Sequence, residues 1–310
     1  MNCIEQIVTE KYSLYCGDSA EVLMALPDNS IHYSIYSPPF AKLYTYSNSE
    51  RDLGNCRNYE EFFEQFYYIG KELYRSLMGG RLMSVHCMDI PLMKERDGVI
   101  GLTDFPGDII RMFQELGFIY HSRVAIWKDP LIEATRTKAL GLMHKQIEKD
   151  SAMCRQGLPD YLITLRKPGE NPEPISHPDG FTSYVGENVP KGTPFSHHVW
   201  RNYASPVWFD INQSRTLNKE GAREEKDEAH ICPLQLDVIE KALELWTNPN
   251  DIVLSPFMGI GSECYVAVTK GRRAVGVELK NSYYKQAVMN LSNAAAMGEQ
   301  ETLFDMENNQ

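Results

Sequence analysis

The sequence predicts an α/β fold in which a mostly parallel sheet is covered by helices on both faces. Short apolar runs, typical of buried strands, alternate with segments whose apolar residues recur at helical spacing. At 310 residues the chain is long enough for one large α/β domain with an insertion, or for two modest domains. A proline-rich stretch in the second half breaks the alternation, which favours a single sheet domain with a loop-rich insertion.

The first 130 residues contain regular strand and helix patterns. Asn58 is a candidate N-cap, and Glu61 three residues later completes a capping-box-like start for a long amphipathic helix. Gly79 and Gly80 follow the last apolar residue of that helix and are expected to end it. Predicted strands cover residues 12–16, 31–36, 82–85 and 123–127, and predicted helices cover residues 20–26, 58–78 and 108–116.

Residues 131–229 are predicted to form the insertion. Seven prolines lie between residues 168 and 218, too many for regular core structure. Aromatic residues such as Trp200 and Trp208 make this stretch too apolar for a simple disordered linker. Regular patterns return at Pro233, and the tail from 296 to 310 is expected to be flexible. There, predicted helices cover 233–246, 264–269 and 282–290, and predicted strands cover 252–254 and 274–278.

The charge distribution indicates where a polyanion could bind. The whole chain carries a formal net charge of −11, which is unusual for a nucleic-acid-binding protein. Residues 123–167, however, contain nine basic and five acidic side chains, so this segment is locally positive. A solvated helix with mixed charges is the alternative interpretation. The candidate phosphate-binding residues are Arg136, Lys138, Lys145, Lys149 and Arg155.

The composition argues against several classes of protein. No window approaches the roughly 18 apolar residues of a membrane span, and the N-terminus lacks the pattern of a secretory signal. The seven cysteines are scattered without a C-x-x-C spacing, which argues against a disulfide framework or a zinc knuckle and suits a reducing cytoplasm. His197 and His198 have no third ligand at metal spacing, so we expect no metal site.

A motif at the end of the second predicted strand carries the first functional signal. Ser37, Pro38, Pro39 and Phe40 place a polar group, two rigid residues and an aromatic ring directly after an apolar run. Such an arm can hold a flat ring together with its amino group. A Pro-Pro turn that only ends a strand is the alternative interpretation.

A glycine turn after a later strand carries the second signal. Phe257, Gly259 and Gly261 form a turn that allows a small-molecule cofactor to approach the backbone closely. Glu278 ends the following strand, where an acid can accept hydrogen bonds from ribose hydroxyls. The same arrangement is found in dinucleotide-binding oxidoreductases, which are a competing interpretation of this motif taken alone.

Together, these motifs resemble those of DNA amino-methyltransferases, over nearly the whole chain. The order of the motifs is similar to that of the permuted (beta-like) group of the N4-cytosine/N6-adenine family, in which the catalytic half precedes the cofactor half. The resemblance implies a Rossmann-like methyltransferase fold, S-adenosyl-L-methionine as cofactor and DNA as substrate. Residues 1–130 would be the catalytic half, residues 131–229 the target-recognition insertion and residues 230–295 the cofactor half.

The resemblance also implies roles for individual residues. The Ser37 hydroxyl and the Pro38 carbonyl would accept the two N–H bonds of a base amine, so catalysis would be mostly positioning. Phe40 would stack on the base, which must leave the duplex to enter the site. Because Ser37 is neutral, the proton shed after methyl transfer is expected to leave through water. Asp18 matches the acid that lies near the cofactor adenine.

Two positions depart from the family pattern. Ser255 stands where the family usually has Asp, and Ser262 stands where it usually has Thr. The usual carboxylate contact to the cofactor's amino group therefore needs a substitute, either Asp18 or another acid. The departures also leave room for a catalytically silent DNA-binding paralogue, although the intact motif at residues 37–40 argues against it.

The target base is left between two alternatives. Serine at the first motif position is commoner among cytosine-N4 enzymes. Residues 101–130 and 137–141 are similar to prophage-borne orphan methyltransferases, some of which modify adenine with little sequence selectivity. This extended resemblance favours adenine N6 with broad specificity over a site-specific cytosine-N4 enzyme.

The remaining expectations concern partners. Residues 300–304 resemble the short peptide with which bacterial proteins bind the replication sliding clamp, and a plain frayed tail is the alternative interpretation. The sequence leaves a homodimer open.

Overall fold

The computed structural model describes residues 2–40, 52–137, 144–177, 181, 194–218 and 233–308. Side chains are described in these ranges except at residues 134–137, 144–146, 153, 194–196 and 297–308. Strands and helices alternate along the chain, as the hydrophobic patterns predict. Most predicted elements are present, with ends shifted by a few residues.

The described strands and helices have the following bounds. The strands are β1 (Glu5–Val8), β2 (Tyr12–Cys16), β3 (Ile31–Tyr36), β4 (Leu77–Cys87), β5 (Ile90–Leu92), β6 (Gly101–Thr103), β7 (Ile119–Ile126), β8 (Asp160–Arg166), β9 (Val207–Trp208), β10 (Ile252–Ser255) and β11 (Arg273–Glu278). The helices are α1 (Ser19–Leu23), α2 (Tyr59–Ser76), α3 (Lys94–Asp97), α4 (Phe105–Glu115), α5 (Pro130–Thr137), α6 (His144–Asp150), α7 (Pro194–Ala204), α8 (Leu236–Trp246), α9 (Ser262–Thr269) and α10 (Asn281–Asn308).

One large sheet organises the molecule. Its strand order is β1-β2-β11-β10-β3-β4-β8-β7-β9. The five adjacent strands β2, β11, β10, β3 and β4 are parallel to one another. Strand β8 runs antiparallel to both β4 and β7, and β1 runs antiparallel to β2. The predicted fold class, a mostly parallel Rossmann-like sheet with helices, is therefore confirmed.

Helices cover both faces of the parallel strands, because such strands are apolar on both sides. In β3, Tyr33 points into a core shared with α8, α9 and α10, whereas Tyr36 points into a second core shared with α1, α2 and α4. Both tyrosines are fully buried. The two cores lie on opposite faces of the sheet and hold its central strands rigidly in place.

Helix α2 begins as predicted but ends earlier. The side chain of Asn58 accepts a hydrogen bond from the backbone nitrogen of Glu61 at 2.7 Å, which confirms the predicted N-cap. The helix ends at Ser76, so the expectation that Gly79 and Gly80 terminate it is wrong. Both glycines lie inside β4 instead, where a Cβ on Gly80 would be 2.6 Å from the backbone nitrogen of Asn171. Close passage of another chain segment, not helix termination, requires glycine here.

Strand β8 lies within residues 131–229 and belongs to the main sheet. Its seven residues lie between β4 and β7 in the main sheet. Leu162, Ile163 and Leu165 are fully buried. A short apolar run within residues 160–166 is the local signal for this strand, which the sequence-based prediction did not include.

Residues 194–218 are anchored to helix α8 by buried polar contacts. The ammonium group of Lys241, fully buried, lies 2.6 Å from a carboxylate oxygen of Asp210 and 5.1 Å from the ring centre of Trp208. Arg215 pairs with Asp237 and Glu240. These contacts agree with the expectation that this aromatic, proline-rich stretch is more than a linker.

The C-terminal helix is longer than predicted. Helix α10 continues to Asn308, whereas the sequence predicts a helix over residues 282–290 and a flexible tail from residue 296. The clamp-like peptide at residues 300–304 thus lies on a helical backbone, and its side chains are outside the described part. No helix in the described ranges is long and apolar enough to cross a membrane.

Candidate active site

The two sequence motifs meet at one end of the sheet. Strands β3 and β10 are neighbours and parallel, with Ser34 beside Leu254. After β3 the chain continues through α2 to β4 on one side, and after β10 it continues through α9 to β11 on the other. Because the connections diverge, a crevice opens beyond the carboxyl ends of the two strands. Ser37 and Pro256 follow these strand ends directly.

The predicted catalytic residues line this crevice. Ser37 is half-buried and Pro38 is buried, and together they continue the line of β3. Phe40 is half-buried, and its ring centre lies 6.0 Å from that of Phe105 on α4. Phe40 is thus supported from behind by the core while retaining exposed surface, as a stacking residue requires.

A series of polar side chains lies behind Ser37. The Ser37 hydroxyl is 2.9 Å from Nδ1 of His86, which is on β4. The other ring nitrogen, Nε2, lies 3.2 Å from Oδ2 of Asp160, the first residue of β8. Lys128, just after β7, pairs with the second carboxylate oxygen of Asp160. These three residues could not be identified from the sequence, because only the sheet order β3-β4-β8-β7 brings them close to Ser37.

Asp160 is ionised despite its burial. Burial alone would raise its pKa, but the charge of Lys128 and the contact with His86 lower the pKa of this carboxyl to about 2. Asp160 is 3% exposed and His86 is 7% exposed. A permanent carboxylate therefore faces the imidazole of His86 inside the protein.

An aromatic layer forms the floor between the two motifs. The ring of Tyr36 lies 5.7 Å from that of Phe257 and 6.5 Å from that of Phe66. Phe257, predicted to bind cofactor, is half-buried against this layer. The Tyr36 hydroxyl is buried and has no hydrogen-bond partner in the described part of the chain. Burial raises its pKa well above the usual value, so the hydroxyl stays neutral.

Gly259 and Gly261 have different roles in the glycine turn. Gly259 adopts a left-handed conformation with φ of +53°, and no described residue comes within 4 Å of the position that its Cβ would occupy. Gly261 has φ of +90°, and its Cβ would lie 3.1 Å from Ala287 and 3.0 Å from Leu291 on α10. Gly259 thus offers room for a ligand, whereas Gly261 permits close packing of α9 against α10.

Glu278 holds the glycine turn from the neighbouring strand. Its Oε2 accepts a hydrogen bond from the backbone nitrogen of Gly259 at 2.9 Å, and its Oε1 accepts one from the backbone nitrogen of Lys280 at 2.8 Å. Burial raises the pKa of this carboxyl to about 7, although both hydrogen bonds act to lower it. Asp18 lies next to it, because Gly17 donates a backbone hydrogen bond to the Glu278 carbonyl at 2.9 Å.

Asp18 also has a local structural role. Its side chain accepts a hydrogen bond from the backbone of Ala20 at 2.9 Å and so caps helix α1. This places the carboxyl group at the end of β2, beside the end of β11. Both acids predicted to contact the cofactor therefore lie at the same edge of the sheet.

Three further polar groups around the turn were not recognised as a set from the sequence. Ser255 and Ser262 are buried, and neither hydroxyl has a hydrogen-bond partner among the residues that the structure describes. Glu263, in the first turn of α9, is 4% exposed. Burial, and secondarily the nearby Glu278, raise the pKa of Glu263 to about 8. An acid directly after Ser262 is the signal that could have identified it.

These residues fit a cofactor that has amino, hydroxyl and cationic groups. Two buried hydroxyls without described partners can accept or donate hydrogen bonds, and the space beside Gly259 admits a ligand to the backbone. Two buried carboxyls with raised pKa values favour a positively charged ligand, since such a charge stabilises their ionised forms. The donor set agrees with S-adenosyl-L-methionine.

The predicted DNA-binding residues are only partly described. Lys149, near the end of α6, is exposed. Arg155 is less available to bind phosphate. Its guanidinium lies 3.7 Å from a carboxylate oxygen of buried Glu133 and donates a hydrogen bond to the carbonyl of Gln156. The side chains of Arg136 and Lys145 are outside the described part, as is the whole of Lys138.

One cluster of potential metal ligands is present elsewhere, at the opposite end of the sheet. His32, Glu173 and Asp251 have side-chain atoms within 4.8 Å of one another. However, Nδ1 of His32 accepts a hydrogen bond from the backbone of Ile252, so a neutral His32 carries its proton on Nε2, the atom that faces the acids. Arg81 already pairs with Asp251 at 3.0 Å. The arrangement is that of an ion-pair network in which Asp251 and Arg81 are buried and Glu173 is exposed.

Comparison with known proteins identifies a family and several relatives. A family model described as DNA methylase matches residues 31–289. The type II methyltransferase M.BglII of Bacillus subtilis is 25% identical over 286 residues, which cover 90% of this chain and 68% of the relative. The type II beta methyltransferase M.BslI of a Bacillus species is 24% identical over 281 residues, which cover 88% of this chain but only 27% of the relative.

Solved structures show the same fold. TTHA0409 of Thermus thermophilus, in complex with S-adenosyl-L-methionine, superposes with a TM-score of 0.63 at 22% identity, covering 92% of this chain and 96% of that protein. The PvuII DNA methyltransferase, named as cytosine-N4-specific, superposes with a TM-score of 0.62 at 19% identity, covering 93% of this chain and 90% of that enzyme.

Proposed function

The chain belongs to the DNA methylase family, and from this membership we propose that it methylates the exocyclic N6 amine of adenine in DNA, in many sequence contexts. The enzyme is a DNA methyltransferase of the N4/N6 type. The observation that carries the proposal is that Ser37 and the turn at Gly259 follow two adjacent parallel strands, β3 and β10. This arrangement allows a base amine and a methyl donor to meet in one crevice.

The cofactor is S-adenosyl-L-methionine, which when bound supplies a methyl group on a sulfonium sulfur. We propose that Glu278 accepts hydrogen bonds from its ribose hydroxyls while keeping its own bonds to Gly259 and Lys280, because each carboxylate oxygen has two lone pairs. Asp18, at the neighbouring strand end, would contact its adenine. Ser255 and Ser262 would complete the cradle with their buried hydroxyls.

Glu263 is our candidate for the acid that replaces the missing family aspartate. Its carboxyl is buried at the start of α9, near enough to Glu278 for the two charges to interact. An ionised Glu263 can accept hydrogen bonds from the cofactor's amino group, a role that Ser255 cannot fill with a negative charge. Burial of an otherwise costly acid beside the ligand cradle supports this assignment.

The chemistry at Ser37 is mainly positioning. The Ser37 hydroxyl oxygen and the Pro38 carbonyl accept the two N–H bonds of the base amine and direct its lone pair toward the methyl carbon. Phe40, supported by Phe105, stacks on the base after it leaves the helix. Pro39 fixes the backbone between these groups.

Cytosine N4 is the second candidate target, and Ser37 favours it, as does the cytosine-N4 specificity named for the PvuII enzyme of the same fold. Adenine is placed first because residues 101–130 and 137–141 resemble broad prophage enzymes. Both amines offer two N–H donors, so Ser37 and Pro38 suit either base. The choice between adenine and cytosine therefore depends on the other residues that surround the base.

The interaction partners follow from the reaction. DNA is the macromolecular substrate, and we propose that phosphates contact the basic stretch that includes Lys149 and Arg155. The reaction assigns the protein to the compartment that holds DNA and the methyl donor, which in a bacterial or phage-infected cell is the cytoplasm. A homodimer and a contact with the sliding clamp through residues 300–304 remain proposals.

A methyl-transfer assay tests the proposed function. The purified protein is incubated with DNA and cofactor labelled in the methyl group, and label in the DNA is measured beside a Ser37→Ala variant. We expect labelling by the unaltered protein and a much lower rate in the variant, with cofactor affinity retained. Cofactor binding without labelling would instead support the silent DNA-binding paralogue.

A further inference from the structure

Two buried polar side chains, His86 and Asp160, and the half-buried Lys128 lie behind Ser37. His86, Asp160 and Lys128 come from β4, β8 and the residues after β7, and they form a single series that ends at the Ser37 hydroxyl. The contact between Ser37 and His86 is 2.9 Å, and that between His86 and Asp160 is 3.2 Å. Buried polar groups are costly unless they are paired, so this alignment requires an explanation.

The Asp160 carboxylate favours a proton on the ring nitrogen of His86 that faces it, 3.2 Å away. Ionised Asp160 can only accept, so the proton of a neutral His86 is held on Nε2, which faces Asp160. Nδ1 then carries no proton and can only accept a hydrogen bond. The Ser37 hydroxyl is its donor, at 2.9 Å. Ser37 must therefore turn its hydrogen away from the crevice and present its oxygen lone pairs to it.

We propose that His86, held by Asp160 and Lys128, is a positioning residue that makes Ser37 an obligatory acceptor and receives the proton released by the methylated amine. The inference rests on the proposed function and deepens it. It changes the expectation that this proton leaves through water alone. Donation from the Ser37 hydroxyl to His86 also makes the serine oxygen a stronger acceptor, because consecutive hydrogen bonds polarise one another.

The proton and electron balance is as follows. The amine nitrogen uses its lone pair to form a bond to the methyl carbon as the bond between that carbon and sulfur breaks, and the positive charge moves from sulfur to nitrogen. One N–H proton then passes to the Ser37 oxygen while the Ser37 hydroxyl proton passes to Nδ1 of His86. The resulting imidazolium is paired with Asp160 and later loses its proton to solvent.

If His86 were protonated before the reaction, the direction of its hydrogen bond with Ser37 would reverse. Nδ1 would then donate to the serine oxygen, occupy one of its lone pairs and free the hydroxyl hydrogen to point into the crevice. The charged groups that face the imidazole are Asp160 from β8 and, through Asp160, Lys128 after β7, while Cys87 is its neighbour on β4. Asp160 keeps its charge throughout the pH range of the test below.

Single-turnover methyl transfer at saturating cofactor tests this inference between pH 5.5 and 8.5. We expect the rate of the unaltered protein to fall at acid pH, and that of His86→Gln to be lower by about tenfold or more at pH 8 and independent of pH. Glutamine can still accept a hydrogen bond but cannot titrate. The matched control is His121→Gln, which removes an exposed histidine with a serine at the same 2.9 Å distance on β7.

Two results separate this inference from the proposed function. Cofactor affinity, measured by calorimetry, should change less than about twofold in His86→Gln, because the residue does not reach the cofactor cradle. Nitrogen NMR of the imidazole should show a proton on Nε2 and none on Nδ1 at pH 8, whether or not DNA is methylated. A proton on Nδ1, or an unchanged acid limb in His86→Gln, would overturn the inference, and absence of methyl transfer by the unaltered protein would overturn the proposed function itself.

Discussion

Glu278 and Gly259 are joined by a 2.9 Å hydrogen bond from the glycine backbone nitrogen to the glutamate Oε2. The bond connects the end of β11 to the turn that follows β10. A buried carboxylate thereby holds the turn in the conformation that leaves one side of Gly259 open to a ligand. The cofactor half of the site is therefore built by two neighbouring parallel strands.

Replacing Gly259 by leucine should block cofactor binding. A side chain there would occupy the space beside the turn, whereas the same change at Gly271 provides a control for backbone strain. Gly271 also has a positive φ, +72°, with no described residue within 4 Å of its Cβ position, but it precedes β11. Calorimetry should show a dissociation constant raised by more than about tenfold, or about 1.4 kcal/mol, for Gly259→Leu only. Equal losses in both variants would contradict the assignment.

Cofactor binding should release protons and tighten as pH rises. The pKa values of Glu263 and Glu278 are raised to about 8 and about 7, so both carboxyls are largely protonated in the free protein near pH 6. A cationic ligand favours their ionised forms, so the dissociation constant should fall by up to about tenfold per pH unit for each carboxyl that ionises. Calorimetry in buffers of different ionisation enthalpy counts the released protons.

The matched variant is Glu263→Gln, which should release fewer protons when the cofactor binds.

The raised pKa values of Glu263 and Glu278 also affect the stability of the free protein, which should decrease as pH rises. A carboxyl whose pKa is higher in the folded state stabilises the fold below its unfolded pKa, and this stability is lost as pH rises through 7 to 8. The melting temperature of the free protein should therefore fall from pH 5 to pH 8. A pH-independent affinity would exclude both acids from the cofactor site.

Asp251→Asn should destabilise the fold without affecting the active site. Asp251 is 4% exposed and pairs with Arg81, which is fully buried, at the far end of the sheet. Removing the charge leaves a buried guanidinium without its strongest partner, at a cost of about 3–5 kcal/mol in the free energy of unfolding. Asp28→Asn is the control, since Asp28 is exposed and pairs with Arg75 at the surface, where about 1 kcal/mol or less is expected. Denaturant unfolding of both variants measures the difference.

Neutralising the basic stretch should weaken DNA binding. The triple variant Lys138→Gln, Lys145→Gln and Lys149→Gln removes three positive charges while leaving Arg155 and its contact with Glu133 intact. If each lysine contacts a phosphate, the slope of log affinity against log salt should flatten by about 0.9 per contact. Fluorescence anisotropy over a salt series measures this slope. A slope equal to that of the unaltered protein would place the DNA on another face.

The sequence predicted the parts of the fold whose signals are local. The mostly apolar run of β3, the Asn58 cap and the glycine turn each follow from residues close in sequence. The pairing of Ser37 with His86 does not, because it depends on β4 lying beside β3. Asp160 was missed for the same reason, since the antiparallel insertion of β8 between β4 and β7 has no local signal.

The clearest error in the predicted secondary structure concerns two glycines. Gly79 and Gly80 follow an amphipathic helix and look like its end, but their conformation serves a close passage of residues 169–171 against β4. Glu263 illustrates the reverse case, in which an ordinary acid near the start of a helix becomes unusual only through burial. Contacts between residues distant in sequence determine the roles of these glycines and of Glu263, and such contacts cannot be read from a single sequence.

Nucleoside mass spectrometry of DNA from a methylation-deficient host tests the central claim most directly. The host expresses either the unaltered protein or Ser37→Ala, which keeps the cofactor cradle intact and removes the hydroxyl that accepts the base amine. We expect N6-methyladenine with the unaltered protein and a large loss of it with the variant. N4-methylcytosine without excess methyladenine would reverse the choice of base, and the absence of both modified bases would contradict the proposed methyl transfer.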